Sequence, residues 1–295
     1  MISDRGIDRL REAAAWPELD ARYEITGVAG RGGMGTVYVA RDHVLQREVA
    51  VKVLDVADRR GARADRLTRE AHILARLDHP GIVPIHDCGT LPDGRAFYVM
   101  KLVRGRRLDQ LAGGSEPLAL GLDAFARVLD AVAFAHAHGV VHRDLKPENV
   151  MVGSFGEVYV MDWGVAQDQA RHDDAVVGTP GFMPPEQEQP TAPVDGRADV
   201  FALGAMLALL AGPSAPPALL AIAEKARHPD AARRYAGVEA LNDDLDSFRS
   251  GGPVGAYRET ISERFLRIYR RYELPILLLV AYIVMRFVLL AWRGI

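Results

Sequence analysis

A change of pattern near Gly105 places the strongest constraint on how this chain can fold. Before it, residues 23–56 are rich in β-branched residues, alternate apolar with polar side chains and are interrupted by glycines, which predicts hairpin-connected strands. One helix, Asp65–Leu77, interrupts that region. After it, apolar residues recur at helical spacing in 119–138, 200–210 and 219–227. The sequence therefore predicts an α+β chain with a β-rich lobe over 23–104 and a larger helical lobe over 105–250.

Composition excludes several other classes. The 295 residues contain a single cysteine, Cys88, so a disulfide scaffold is ruled out. A formal net charge of −3 leaves no overall basic footprint for nucleic acid, and none is expected as a partner. The residues before Tyr23 have no signal-peptide core and are predicted to be an N-terminal extension, 1–22.

The glycine cluster is the first motif with a chemical reading. Gly30, Gly32 and Gly35 form a G-x-G-x-x-G pattern between two strands, where backbone amides can approach phosphate oxygens. By itself this pattern also fits a plain hairpin turn. A dinucleotide-binding loop is disfavoured because a strand, not a helix, follows the glycines. Lys52 lies in the next strand, where it is either exposed or paired with an anion, for which Glu70 is the candidate.

The segment 142–149, HRDLKPEN, combines three chemical groups in one short loop. Asp144 is a carboxylate base, Lys146 a cation two residues later, and Asn149 an amide ligand five residues later. Asp162 follows after a short predicted hairpin and supplies a second oxygen ligand. Amide and carboxylate oxygens suit Mg²⁺, which usually keeps several waters and substrate phosphates, so the sequence predicts a magnesium site.

Together these motifs resemble the eukaryotic-like (Hanks-type) protein kinases, in particular their bacterial serine/threonine branch, over residues 23–250. The resemblance implies a two-lobed kinase fold, ATP and Mg²⁺ as cofactors with Mn²⁺ as a substitute, and protein substrates with Ser or Thr acceptors. It implies that Lys52 holds the α- and β-phosphates and pairs with Glu70, and that Asp144 deprotonates the hydroxyl. Lys146 is expected to neutralise the γ-phosphate, and Asn149 and Asp162 to hold the metal. The nucleotide itself is expected to contact Gly30, Arg31, Gly32, Gly33, Met34, Gly35, Val37, Ala50, Met100, Val103 and Met151.

Further motifs have structural roles by the same resemblance. Glu186, in the loop 178–186, is expected to pair with Arg234, and Asp199 to cap the catalytic loop. Trp163 stands where the family usually has Phe, and we expect this to be tolerated. The loop 162–186 contains only one Ser or Thr, Thr179, and Asp173 or Asp174 is hypothesised to replace a phosphate there in part, with two solvated acids as the alternative.

The helical lobe is also shorter than the family pattern. Only residues 211–218 separate two predicted helices where the family has a longer stretch with a further helix. Two alternatives to a protein kinase stay open, a nucleotide-binding pseudokinase scaffold without turnover and a small-molecule kinase with similar lobes.

The C-terminal tail differs in charge and hydropathy. Residues 257–295 contain seven arginines and three glutamates, so they carry +4 and the remaining 256 residues carry −7. We expect a basic linker over 251–273 and a transmembrane helix over 274–292, with an amphipathic or partner-packing helix as the alternative. The preceding arginines place the kinase on the cytoplasmic face of the cell membrane by the positive-inside rule. A second copy of the chain is a further candidate partner.

Overall fold

A computed structural model describes residues 16–32, 35–55, 62–111, 118–163, 167–168, 178–188, 194–271 and 273–293. Its N-terminal lobe is an antiparallel five-stranded sheet in the order β1-β2-β3-β5-β4. The strands are β1 (Tyr23–Gly32), β2 (Gly35–Asp42), β3 (Arg47–Val53), β4 (Ile85–Thr90) and β5 (Ala96–Lys101). Helix α1 (Ala62–Arg76) lies between β3 and β4 in the chain.

The central strand β3 is buried on both faces, which explains its nearly continuous apolar sequence. Alternate residues serve two separate clusters, because side chains alternate across a sheet. Ala50 packs with Tyr98, Met100 and residues of α1, whereas Val49 and Val51 pack on the other face. Lys52 shares the face of Ala50, which directs it toward α1 and the second lobe.

The second lobe is mainly helical, as its apolar periodicity predicts. Its helices are α2 (Leu118–Ala137), α3 (Arg197–Ala211), α4 (Pro217–Ala226) and α5 (Val238–Arg249). Three strands form a small sheet in the order β6-β8-β9 and two more form a separate pair. They are β6 (Gly105–Arg107), β7 (Val140–Val141), β8 (Val150–Gly153), β9 (Val158–Val160) and β10 (Gln167–Asp168). The predicted two-lobed architecture, a β-sheet lobe followed by a helical lobe, is confirmed.

The helical lobe is shortened between α3 and α4, as the sequence predicts. Helix α3 ends at Ala211 and α4 begins at Pro217, and the five described residues between them form no helix. The predicted gap between the two helices is therefore present. A β-carbon at Gly204 of α3 would lie 2.6 Å from the β-carbon of Ala226, so these helices pack unusually close together.

Two more helices follow the second lobe. Helix α6 (Ile261–Arg271) lies inside the segment that the sequence indicates as a linker, and α7 (Glu273–Arg293) covers the predicted apolar helix. No helix in the described part of the chain is long and apolar enough to cross a membrane. The transmembrane span predicted for 274–292 is thus not supported, although that segment is helical.

Candidate active site

Lys52 donates three hydrogen bonds, one of which links the two lobes. Its Nζ donates to Oε1 and Oε2 of Glu70, at 2.9 and 3.1 Å, and to Oδ1 of Asp162, at 2.9 Å. Glu70 comes from α1, and Asp162 follows β9 in the second lobe. The hydroxyl of Tyr98 on β5 donates to Glu70 Oε1 at 2.9 Å, a contact that the sequence did not indicate. The structure therefore brings together three of the predicted site residues, Lys52, Glu70 and Asp162.

Burial and charge act in opposite directions on this cluster. Burial disfavours the charged form of Lys52, but the neighbouring acidic groups of Tyr98, Glu70 and Asp162 outweigh it and hold its pKa well above the usual value. Burial would likewise raise the pKa of Asp162, but Lys52 holds it below its ordinary value. Both groups are charged at neutral pH, and the Asp162 side chain is 42% exposed.

The predicted catalytic loop forms a compact polar network. Lys146 Nζ donates to Asp144 Oδ2 and to Thr179 Oγ1, both at 2.8 Å. The Thr179 hydroxyl in turn donates to Asp144 Oδ1 at 2.7 Å. Asn149 donates its amide nitrogen to the backbone carbonyl of Asp144 at 2.9 Å, so its amide oxygen is the atom left for a ligand. The carboxylate base, the cation and the amide therefore converge as their spacing predicts.

Asp199 at the start of α3 anchors this loop, as expected. It is 1% exposed and accepts hydrogen bonds from the backbone nitrogens of His142 and Arg143, each at 2.8 Å. Arg143 has a positive φ of 68°, a strained conformation for a residue with a side chain. Its carbonyl accepts from Gln187 at 2.6 Å, so hydrogen bonds hold both sides of the strained residue.

His136 is a site residue that the sequence did not single out. Its Nε2 lies 2.8 Å from Asp199 Oδ2, so Asp199 has a third partner besides the catalytic loop. Burial lowers the pKa of His136, but the hydrogen bond to Asp199 and its charge outweigh that effect and raise it above the ordinary value. His136 and Asp199 are 63 residues apart, so only their folded proximity reveals the contact.

The glycine-rich motif lies on two paired strands, with Gly30, Arg31 and Gly32 on β1 and Gly35 on β2. A β-carbon on Gly35 would lie 2.2 Å from the Val53 carbonyl oxygen, so packing excludes a side chain there. A β-carbon on Gly30 would meet nothing within 4 Å, which leaves open space beside the strand. Gly33 and Met34, also predicted to contact the nucleotide, lie outside the described residues.

Four of the five predicted adenine contacts belong to one cluster in the N-terminal lobe. Ala50 and Met100 are buried neighbours on paired strands, and Val37 and Val103 pack against them. Met151 is half-buried in β8 and is not part of that cluster. Met161, which the sequence did not indicate, packs against it instead.

The two predicted metal ligands come from adjacent segments. The backbone nitrogen of Met161 donates to the Asn149 carbonyl at 2.7 Å, which sets Asp162 beside the catalytic loop. Within the described residues, no group of three His, Cys, Asp or Glu side chains could hold a metal ion alone. An Asn–Asp pair of oxygen donors fits Mg²⁺, which usually completes its coordination with waters and substrate phosphates.

Two buried supports complete the site. Trp163 is 1% exposed, packs on the His142 ring at 4.6 Å and donates to the Val160 carbonyl, so the larger side chain is accommodated in the core as expected. The predicted pair between Glu186 and Arg234 is present, with two hydrogen bonds of 2.6 and 2.8 Å. The hypothesis about Asp173 and Asp174 falls outside the described residues.

Comparisons with known proteins agree with this geometry. The model of the protein kinase domain family matches residues 23–228. The DNA damage-responsive serine/threonine-protein kinase RqkA of Deinococcus radiodurans is 42% identical over 211 residues, which cover 67% of this chain and 31% of that protein. The serine/threonine-protein kinase PknB of Mycolicibacterium smegmatis is 39% identical over 64% of this chain and 32% of its own length.

This chain thus spans about a third of the length of these curated relatives. Among solved structures, the kinase domain of PknI from Mycobacterium tuberculosis superposes with a TM-score of 0.61 at 27% identity. That match covers 79% of this chain and 98% of the PknI kinase domain. The motifs, the two-lobed fold and these matches lead to one conclusion: the chain belongs to the protein kinase domain family, with similarity to bacterial serine/threonine kinases.

Proposed function

We propose that this protein transfers the γ-phosphate of ATP to serine or threonine hydroxyls of proteins. The observation that carries the proposal is the network of Asp144, Lys146 and Thr179, in which a half-buried carboxylate and a cation meet at one point. The Lys52–Glu70 pair supports it as well, because it holds a charged lysine beside Asp162, where the phosphates of ATP would lie.

In the proposed mechanism, each residue contributes positioning or charge. Asp144 accepts the proton of the substrate hydroxyl. The hydroxyl oxygen attacks the γ-phosphorus, and the bond between this phosphorus and the β-phosphate oxygen breaks to release ADP. Lys146 neutralises the charge of the transferred group, and Lys52 holds the α- and β-phosphates. Asn149 and Asp162 are the residues that would hold Mg²⁺. When bound, this ion supplies neutralisation of phosphate charge.

An assay with radiolabelled ATP tests the proposal on the full chain. We expect label on protein substrates with the wild-type chain and a loss of at least about a hundredfold with Asp144→Asn, since general-base catalysis contributes that much. Acid hydrolysis of the product should yield phosphoserine or phosphothreonine. Nucleotide binding, measured by thermal shift with ATP and Mg²⁺, should persist in the variant and serves as the folding control.

The two alternatives give different results in the same assay. A pseudokinase scaffold binds ATP but transfers no label in either form. A small-molecule kinase turns over ATP in the presence of its substrate but labels no protein. Equal transfer by the wild-type and Asp144→Asn chains contradicts the assignment of Asp144.

We also infer that the C-terminal helices attach the kinase domain to a membrane surface. The described side chains of α7 include large apolar residues exposed over most of its length, from Leu277 at 62% to Trp292 at 78%. An apolar surface of this extent marks a site that a membrane or a partner covers. Flotation of the full chain with phospholipid vesicles tests this attachment, and a chain that stays at the bottom of the gradient contradicts it. The cytoplasmic location stays a prediction.

A further inference from the structure

Helix α6 presents an exposed apolar stripe, which we define as Ile261, Phe265 and Tyr269. The three are spaced four residues apart, so they lie along one side of the helix. Their exposed fractions are 90%, 73% and 43%, and the stripe is therefore not covered by the rest of the described chain. Large apolar residues in such a row are costly to leave in water, which indicates that something covers them.

The same helix is strongly basic. Its eleven residues include four arginines and one acid, Glu263, for a net charge of +3. The arginines are Arg264, Arg267, Arg270 and Arg271. At about 100° per residue, Arg267 lies about 160° around the helix from the middle of the apolar stripe, on the opposite side, whereas Arg264 lies about 100° from it and borders the stripe beside Ile261. Arg267 also pairs with Glu259 at 2.8 Å.

The start of α6 is defined by a capping box. The Thr260 backbone nitrogen donates to Glu263 Oε2 at 2.8 Å, and the Glu263 nitrogen contacts Thr260 Oγ1 at 3.3 Å. Tyr257 donates its hydroxyl to the other Glu263 oxygen at 3.0 Å. The helix therefore begins at a fixed point in the chain.

The loop before that point is fixed to the helical lobe. Asp244 of α5 accepts from the backbone nitrogens of Gly255 and Ala256, at 2.6 and 3.0 Å, and from the Tyr235 hydroxyl at 2.8 Å. Val254 is buried in the core of the lobe. The position at which α6 leaves the kinase domain is therefore set by these hydrogen bonds and by the buried Val254.

We infer that α6 lies in the headgroup region of a membrane containing anionic phospholipid, with its apolar stripe toward the acyl chains and its arginines on the phosphates. This inference rests on the membrane attachment proposed above and assigns α6 a part in it. A basic amphipathic helix of this kind binds anionic surfaces through buried apolar area and electrostatic attraction. A second copy of α6 is the less favourable occupant, because two +3 helices would repel each other.

This placement of α6 would fix the orientation of the kinase domain relative to the membrane. Because Asp244 and the capping box fix the root of α6, a helix lying flat on the membrane holds the helical lobe at a defined angle to it. The site at Asp144 would then face substrates from one direction, which a flexible linker would not achieve.

Site-specific fluorescence tests the inference on the full chain. In a Cys88→Ala background, Phe265→Cys and Arg264→Cys are each labelled with an environment-sensitive fluorophore. The labelled chains are bound to phosphatidylcholine vesicles with and without phosphatidylglycerol, and bound protein is isolated by flotation. We expect the emission of the fluorophore at position 265 to shift to the blue and that of the fluorophore at position 264 to stay typical of water. The blue shift at position 265 should require phosphatidylglycerol.

The charge requirement is tested in the Phe265→Cys chain. Replacement of Arg264 and Arg271 by Gln should lower the ratio of buried to exposed probe by about fivefold per arginine, whereas replacement by Lys should preserve it. Three outcomes overturn the inference: a water-exposed probe at 265 in floated protein, equal burial without phosphatidylglycerol, or burial without vesicles as the chain self-associates. A chain that does not float overturns both this inference and the membrane attachment, and the radiolabel assay remains independent of both.

Discussion

Replacement of Asp199 by Asn tests whether this buried carboxylate holds the catalytic loop in its strained conformation. Asp199 accepts three hydrogen bonds, from the backbone nitrogens of His142 and Arg143 and from His136, with no exposure to water that could replace them. An Asn side chain has one acceptor oxygen. In its better orientation, that oxygen keeps the bonds to His142 and His136, and the Asn amide group faces the Arg143 N–H.

The expected loss of stability in Asp199→Asn follows from the number of hydrogen bonds that Asn can still accept. One hydrogen bond to a charged group is lost, which is worth about 1.5–3 kcal/mol, and the remaining two are no longer charge-assisted. We therefore expect the free energy of unfolding to fall by about 3 kcal/mol. For a domain of this size, the melting temperature should fall by roughly 6–12 °C. His136→Phe removes only one of the three bonds and leaves both loop contacts, so it should cost less than half as much.

Thermal unfolding and steady-state kinetics measure the two consequences. In Asp199→Asn, the freed Arg143 nitrogen no longer restrains the loop, so kcat should fall because Asp144 moves. ATP affinity should change little, because Lys52 and Glu70 are bonded independently of Asp199. A melting temperature within 2 °C of wild type, or His136→Phe as damaging as Asp199→Asn, would refute the reasoning.

Two further predictions concern buried charges. Asp199 raises the pKa of His136 in the folded protein. The pair therefore stabilises the fold fully below about pH 6.5, the ordinary His pKa, and this stabilisation is lost as the pH rises through the raised pKa of His136. The difference in melting temperature between wild type and His136→Phe should therefore be largest between about pH 4 and 6.5 and should shrink above it, and a difference that grows with pH would contradict this. Glu186→Ala should lower the free energy of unfolding by about 3 kcal/mol in urea titrations, since it leaves the fully buried Arg234 charge without its carboxylate. A loss below 1 kcal/mol would mean that the backbone carbonyls around Arg234 suffice.

The sequence predicted the parts of the site that depend on local spacing. Asp144, Lys146 and Asn149 lie within six residues of each other, so their chemistry can be recognised without knowledge of the fold. The supports around them could not be recognised in this way. His136, Gln187 and the Tyr98 hydroxyl act on partners between 28 and 63 residues away, and each residue type is also common in ordinary cores.

Helix α6 illustrates a different limit. Its arginines dominated the composition of 251–273, which therefore indicated a basic linker. The local signal for a helix was present in Thr260 and Glu263, a capping box followed by apolar residues at helical spacing. Charge content and helical periodicity are independent properties, and only the periodicity reports on backbone structure.

The short connection between α3 and α4 explains how these two helices pack against each other. With only residues 212–216 between α3 and α4, the two helices must pack directly against each other. Gly204 permits this, because any larger residue would place its β-carbon 2.6 Å from that of Ala226 and 2.9 Å from the Arg227 nitrogen. Glycine within a helix costs about 1 kcal/mol relative to alanine, so its presence in α3 is explained by close approach rather than by helix propensity. The core thus closes without a further helix, while Asp199 at the other end of α3 still reaches the catalytic loop.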